Sequence, residues 1–161
     1  MSHRRSARGF TFVELLCTIF LLTILAGVAM PVAYVMEKRA RELELRQELR
    51  TMRRALDAYH FTVLIFKQQG VELEEGIDAA GWPEELEILV EGVDNVASAD
   101  SDKTLKFLRR IPKDPMTGEA EWGMRSAAQD PDDNLWDGTH VFDVYSLADG
   151  EGLDGTEYST W

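Results

Sequence analysis

Glu14 is the residue whose type and place most demand a chemical explanation. It is the sole charged side chain in 10–36, a run that otherwise reads Phe, Leu, Ile, Val, Ala, Met, Thr, Cys, Gly, Tyr and Pro. A carboxylate among hydrocarbon costs several kcal/mol unless a partner compensates it. Bond cleavage can supply that partner. If the chain is cut between Gly9 and Phe10, the new α-amine lies about one helical turn from Glu14. In a helical assembly the amine of one copy then meets the carboxylate of its neighbour. Desolvated opposite charges attract strongly only at fixed geometry, so the pair would set register as well as stabilise.

The other residues able to do chemistry are scattered. His3, His60 and His140 are far apart. His140, Asp143 and Ser146 are close in sequence, but three-residue steps along a strand alternate faces, so they do not converge as a triad. There is no His-Glu-x-x-His, no phosphate-cradling Gly-Lys-Ser/Thr and no paired cysteine motif. The single cysteine, Cys17, sits in the apolar run and reads as a small apolar residue; no disulfide within the chain is possible. The expectation is a chain that is not an enzyme.

An element must hold Glu14 in place. At about 1.5 Å per residue, a helical 10–36 is long enough to cross the roughly 30 Å hydrocarbon layer of a bilayer. It exceeds the apolar region of an ordinary secretory signal. The flank His3, Arg4, Arg5 and Arg8 precedes it, so the positive-inside bias keeps that end cytoplasmic and exports the rest. Beyond Met36, Leu45, Leu49, Met52, Leu56, Tyr59, Val63 and Phe66 recur at steps of four and three, the spacing of one helical face. Glu37 with Arg41, and Glu42 with Arg46, stand four apart in the favourable acid-first order. The reading is one helix over about 10–68, bent at Pro31, which removes a backbone hydrogen bond. Its first half enters lipid and its second half packs on a domain. A coiled coil is the alternative for the stripe.

Charge divides the chain in the same way. Residues 61–161 hold seven basic and 23 acidic side chains, whereas 37–60 hold seven basic and five acidic. So acidic a surface repels phosphates, which argues against a nucleic-acid partner, and suits calcium or a salty exterior.

The remainder predicts a small α+β domain. Residues 81–90, with Pro83 in the first turn, read as a short helix, 93–102 as a loop and 105–111 as a short helix or turn. Ile111-Pro112-Lys113-Asp114-Pro115-Met116-Thr117-Gly118 defines a rigid turn. Residues 121–125 and 140–147 read as strands separated by a loop over 128–138. The fold class is therefore α+β: a long N-terminal helix packed on an antiparallel sheet of two to four strands.

Gly9-Phe10-Thr11-Phe12-Val13-Glu14-Leu15-Leu16 resembles the cleavage and methylation motif of type IV pilins and type II secretion pseudopilins. Pro112-Lys113-Asp114-Pro115, Gly118 and the run from Asp143 through Tyr145-Ser146-Leu147-Ala148-Asp149 to Gly150 are similar to major pseudopilins of type II secretion. With leader and helix, the likeness covers roughly two-thirds of the chain. The resemblance implies a leader over 1–9 removed by a prepilin peptidase and N-methylation of Phe10. It implies a membrane and polymerisation helix over 10–36, an amphipathic continuation over 37–69 and a periplasmic domain over 70–161. It further implies a homopolymer, joined by other pseudopilins and an inner-membrane assembly platform, that drives protein export. The other readings are a minor or non-secretion pilin acting in adhesion, motility or DNA uptake, and a signal-anchored periplasmic domain that never polymerises.

In major pseudopilins the loop after that strand binds calcium. The matching positions are the Leu147 carbonyl, Asp149 and Asp154, with Thr156 as a further oxygen donor. Gly150, Gly152 and Gly155 would let the backbone fold around an ion. Here the loop is shorter by a residue than the usual run, and Tyr158 and Trp161 could instead tuck onto the core; an acidic surface loop with no ion is the alternative.

Overall fold

The computed structural model of the chain describes residues 9–70, 80–94, 104–130, 133 and 135–161. The basic flank of the expected leader and most of the expected 93–102 loop lie outside the described residues. The chain divides into two compact units, Met1–Arg39 and Ala40–Trp161.

Helix α1 (Phe12–Gln68) runs for 57 residues with Pro31 inside it. Thr11 starts it. Its carbonyl accepts the Leu15 amide at 3.1 Å, and its hydroxyl accepts the Glu14 amide at 3.2 Å. This side-chain cap satisfies one of the donors a helix start leaves open. Gly70, at φ +71°, closes the other end in the left-handed conformation that only glycine adopts cheaply.

In the second unit the stripe of α1 is the core. Leu45, Leu49, Met52, Leu56, Tyr59 and Val63 are no more than 1 % exposed. They pack with Leu86, Leu89, Leu108, Trp122, Val141, Val144 and Tyr158. The stripe is thus covered by its own chain, as the domain reading requires and the coiled-coil reading does not. Truncating such a buried leucine to alanine costs about 2–5 kcal/mol.

The segment after Gly81 departs from expectation. A helix beginning at Pro83 does not form; α2 spans only Ile88–Glu91. The Pro83 carbonyl instead accepts the Val141 amide at 2.8 Å, which ties this stretch to the strand region before a helical turn can start. Where a loop and a short helix or turn were expected, β1 (Val93–Asp94) pairs antiparallel with β2 (Thr104–Leu105). The Thr104 hydroxyl donates to Asp94 across this ladder at 3.1 Å. The Phe107 and Leu108 amides then both reach the Leu89 carbonyl, at 3.0 and 2.8 Å, closing the ladder onto α2.

The second ladder joins β3 (Gly123–Arg125) to β4 (Asp143–Tyr145), antiparallel, with Gly123 opposite Tyr145. Both strands lie inside the expected ranges and are shorter. Gly123 is required here: a Cβ would fall within the Tyr145 ring. The Arg125 guanidinium covers that ring at 4.0 Å.

The proline-bounded turn is pinned from inside. Asp114 is fully buried; Oδ1 accepts the Met116 amide at 2.7 Å and Oδ2 accepts the Ser146 hydroxyl at 2.5 Å. Trp122 Nε1 donates to the Pro112 carbonyl at 3.0 Å. A buried carboxylate with these partners fixes the turn against the residue that follows β4.

Candidate assembly site

The first unit presents its apolar side chains outward. Phe10 is 79 % exposed, and Leu15, Leu16, Ile19, Phe20, Leu21, Leu22, Ile24 and Leu25 are all exposed. The apolar window of α1 that is long enough to cross a membrane has none of its residues buried. So large a continuous apolar surface is unstable in water and marks a lipid-facing or subunit-facing face.

Glu14 lies in the first turn of α1, one turn beyond Gly9 and Phe10. Its main chain is held by Thr11, so the carboxylate projects from a defined helix start. Thr11 and Glu14 have the Ser/Thr-x-x-Glu spacing of a capping box. Sequence reasoning passed over Thr11, although that spacing was visible. The residue anchors the turn that carries the charge.

With this geometry in view, comparison with known proteins decides the class of the segment. A family model, the prokaryotic N-terminal methylation motif, matches residues 4–30. This end is type IV pilin-like. The motif implies processing by a prepilin peptidase and polymerisation, and together with the apolar helix it marks a membrane-anchored protein. No curated protein and no solved structure matches the chain.

The second expected site lies in the 147–156 loop. Leu147 and Asp149 line a hollow of about 410 Å³ with Gly150, Glu151 and Glu157. Asp154 and Thr156 line a different hollow, of about 610 Å³, with Arg46, Arg50, Arg53 and Trp161. Among the described residues, no three His, Cys, Asp or Glu side chains converge as metal ligands. Asp154 Oδ2 accepts Arg46 Nη2 at 2.7 Å, and Oδ1 accepts the Thr156 hydroxyl at 2.6 Å and its amide at 3.1 Å. These bonds, those of Thr156 foremost and the Arg46 charge after them, hold the Asp154 carboxyl below its ordinary value. Of the four expected donors, Leu147 and Asp149 line one hollow and Asp154 and Thr156 the other.

Three side chains of α1 grip the 150–161 segment, and none was singled out from sequence for it. Glu42, 7 % exposed, accepts the Leu153 amide at 2.8 Å and the Tyr158 hydroxyl at 3.2 Å. Arg46 takes Asp154. Arg53 Nη2 reaches the main-chain oxygens of Val144 and Trp161 at 3.1 and 2.7 Å. The expected pairing of Glu42 with Arg46 gives way because each finds a partner in this segment. The signal that could have shown them was the spacing of four and seven, which places all three on one helical flank.

His140, Asp143 and Ser146 each point elsewhere. His140 Nε2 accepts the Ala127 amide at 3.2 Å, Asp143 pairs with Arg53 at 2.6 Å, and Ser146 donates to Asp114.

Proposed function

We propose that the chain is a structural subunit of a type II secretion pseudopilus that polymerises through its N-terminal helix to drive protein export. One observation carries this reading. A single carboxylate, Glu14, stands in an exposed apolar helix one turn from the Gly9–Phe10 bond of a methylation motif. Cleavage at that bond by a prepilin peptidase frees the Phe10 amine, which is then methylated. In the polymer the amine of one copy neutralises Glu14 of the next, and the apolar helices pack against one another in place of lipid. The chain carries no activity of its own; its partners are further copies, other pseudopilins and an inner-membrane assembly platform.

Orientation follows the basic flank, with the N-terminus cytoplasmic and the acidic domain periplasmic. The secretion role, as against a pilus, is supported by the likeness of the Pro112–Pro115 turn and the 143–150 run to major pseudopilins. The acidity of 61–161 disfavours DNA uptake.

The test is Glu14→Ala in a host that assembles the fibre. The chain should insert into the membrane as well as before, because an apolar residue replaces a charge. Assembly, read by shearing and quantifying fibres, should fall by about tenfold or more, the loss expected for roughly 1.4 kcal/mol per contact. Undiminished fibre yield would remove the basis of the reading.

A further inference from the structure

Arg46, Asp154, Thr156 and Trp161 form a closed ring of contacts. The Arg46 guanidinium donates to Asp154 Oδ2 at 2.7 Å. Asp154 Oδ1 accepts the Thr156 hydroxyl at 2.6 Å, and that hydroxyl accepts Trp161 Nε1 at 2.6 Å. Trp161 completes the circuit, because the Arg46 guanidinium lies 4.1 Å from its ring centroid. The fork of the guanidinium thus meets the carboxylate while its face covers the indole, a combination available to arginine and not to lysine.

The backbone is shaped for this ring. Thr156 O accepts the Gly152 amide at 2.7 Å, drawing the loop into a narrow bend. A Cβ on Gly152 would collide with the Trp161 indole and press on Asp154 Oδ1. Glycine is therefore needed for close approach of the indole. Glu42, one turn before Arg46, holds the adjacent Leu153 amide.

A calcium ion requires six to eight oxygens. In this loop both Asp154 oxygens already accept hydrogen bonds, the Thr156 hydroxyl is engaged between Asp154 and Trp161, and Leu147 and Asp149 line a separate hollow. A positive charge is nevertheless present where Asp154 needs one. We propose that Arg46 of α1 is the resident cation of this loop, and that the Arg46–Asp154–Thr156–Trp161 ring locks the 150–161 segment to α1 without a divalent metal. Arg46 is a positioning residue, and the lock makes the segment's order depend on the helix rather than on the ionic composition outside the cell. This inference goes beyond the polymerisation reading and stands or falls separately, since all four residues belong to the unit Ala40–Trp161.

The experiment melts the purified full-length chain in detergent, following near-ultraviolet circular dichroism of the tryptophans. The wild type is measured in chelator and in saturating calcium chloride. Both midpoints should coincide. Arg46→Met should lower the midpoint by about 2–4 °C, and Arg46→Lys, which keeps the charge and loses the fork and the stack, should fall between. Asp154→Asn should cost much less in the Arg46→Met background than in the wild type, because the pair acts as a unit. The proposal is overturned if chelator lowers the wild-type midpoint, if calcium raises it, or if the Arg46 and Asp154 effects add in full. Should Arg46→Met fail to fold, the lysine variant and the calcium comparison on the wild type still decide.

Discussion

Arg53 and Asp143 meet through two parallel hydrogen bonds, Nε to Oδ1 at 2.6 Å and Nη2 to Oδ2 at 3.2 Å. The same guanidinium nitrogen Nη2 also reaches the carbonyl of Val144 and the main-chain oxygen of Trp161. One helical arginine therefore ties α1 to the first residue of β4 and to the 3₁₀ segment at Tyr158–Thr160 that Trp161 follows. Geometry of this kind, planar and two-pronged, is what separates a productive ion pair from an incidental one.

Replacing Arg53 by methionine keeps the apolar stem and removes all four donations. Because the side chain is 37 % exposed, water recovers part of the loss. The expected destabilisation is about 1–2 kcal/mol in urea unfolding of the purified chain in detergent, with unchanged slope. Arg53→Lys should recover less than half, since it restores charge without the fork.

Tyr59 poses the opposite case. Its ring is fully buried against Phe107, edge to face at 5.4 Å, and among the described residues its hydroxyl has no hydrogen-bond partner. Burial first, and the nearby Glu84 charge second, push its pKa up to about 12. The raised value means the unfolded chain loses this proton more readily than the folded one. Stability is therefore intact below about pH 10 and declines as pH rises toward about 12. Tyr59→Phe should stabilise the protein by about 1 kcal/mol at neutral pH and flatten that alkaline decline. A stability curve across this range, with and without the substitution, checks both.

Asp137, like Asp154, makes stability sensitive to acid. The Asp137 carboxylate accepts the Ser126 hydroxyl at 2.6 Å, and the Thr139 hydroxyl and amide at 2.8 and 3.1 Å. These bonds, that of Ser126 foremost, hold it below the ordinary carboxyl value. A lowered folded-state value gives stability that is present above about pH 4 and lost as pH falls below it. Asp137→Asn should lower the neutral-pH midpoint and leave a shallower acid limb than the wild type, as read by thermal melts from neutral pH to about pH 2.

The sequence revealed most where a single local rule applied. The seven stripe residues from Leu45 to Phe66 were readable as a core face because α1 imposes a fixed period on them, and all seven are buried. The methylation motif over 4–30 was readable because a charge in an apolar run has few excuses. The short pieces were not. Residues 83–90 carry helix signals, yet Pro83 is bound to Val141, a partner 58 positions away that no local pattern announces. The two-residue strands β1 and β2 depend on one another and on Gly92, whose Cβ would strike the Leu105 carbonyl. The loop beyond β4 is the sharpest example. The resemblance implied a calcium site there, and Asp154 is held both by neighbouring Thr156 and by Arg46, 108 positions earlier. The shared flank of Glu42, Arg46 and Arg53 was legible in their spacing, but the partners they reach were not.

Polymerisation through α1 depends on what becomes of the bond between Gly9 and Phe10. Mass spectrometry of the N-terminal peptide, taken from the membrane form purified from a bacterium that makes it naturally, tests this most directly. The expected peptide begins at Phe10 and carries one methyl group on its amine. A peptide that begins at Met1 or Ser2, with no methylation at Phe10, would contradict it.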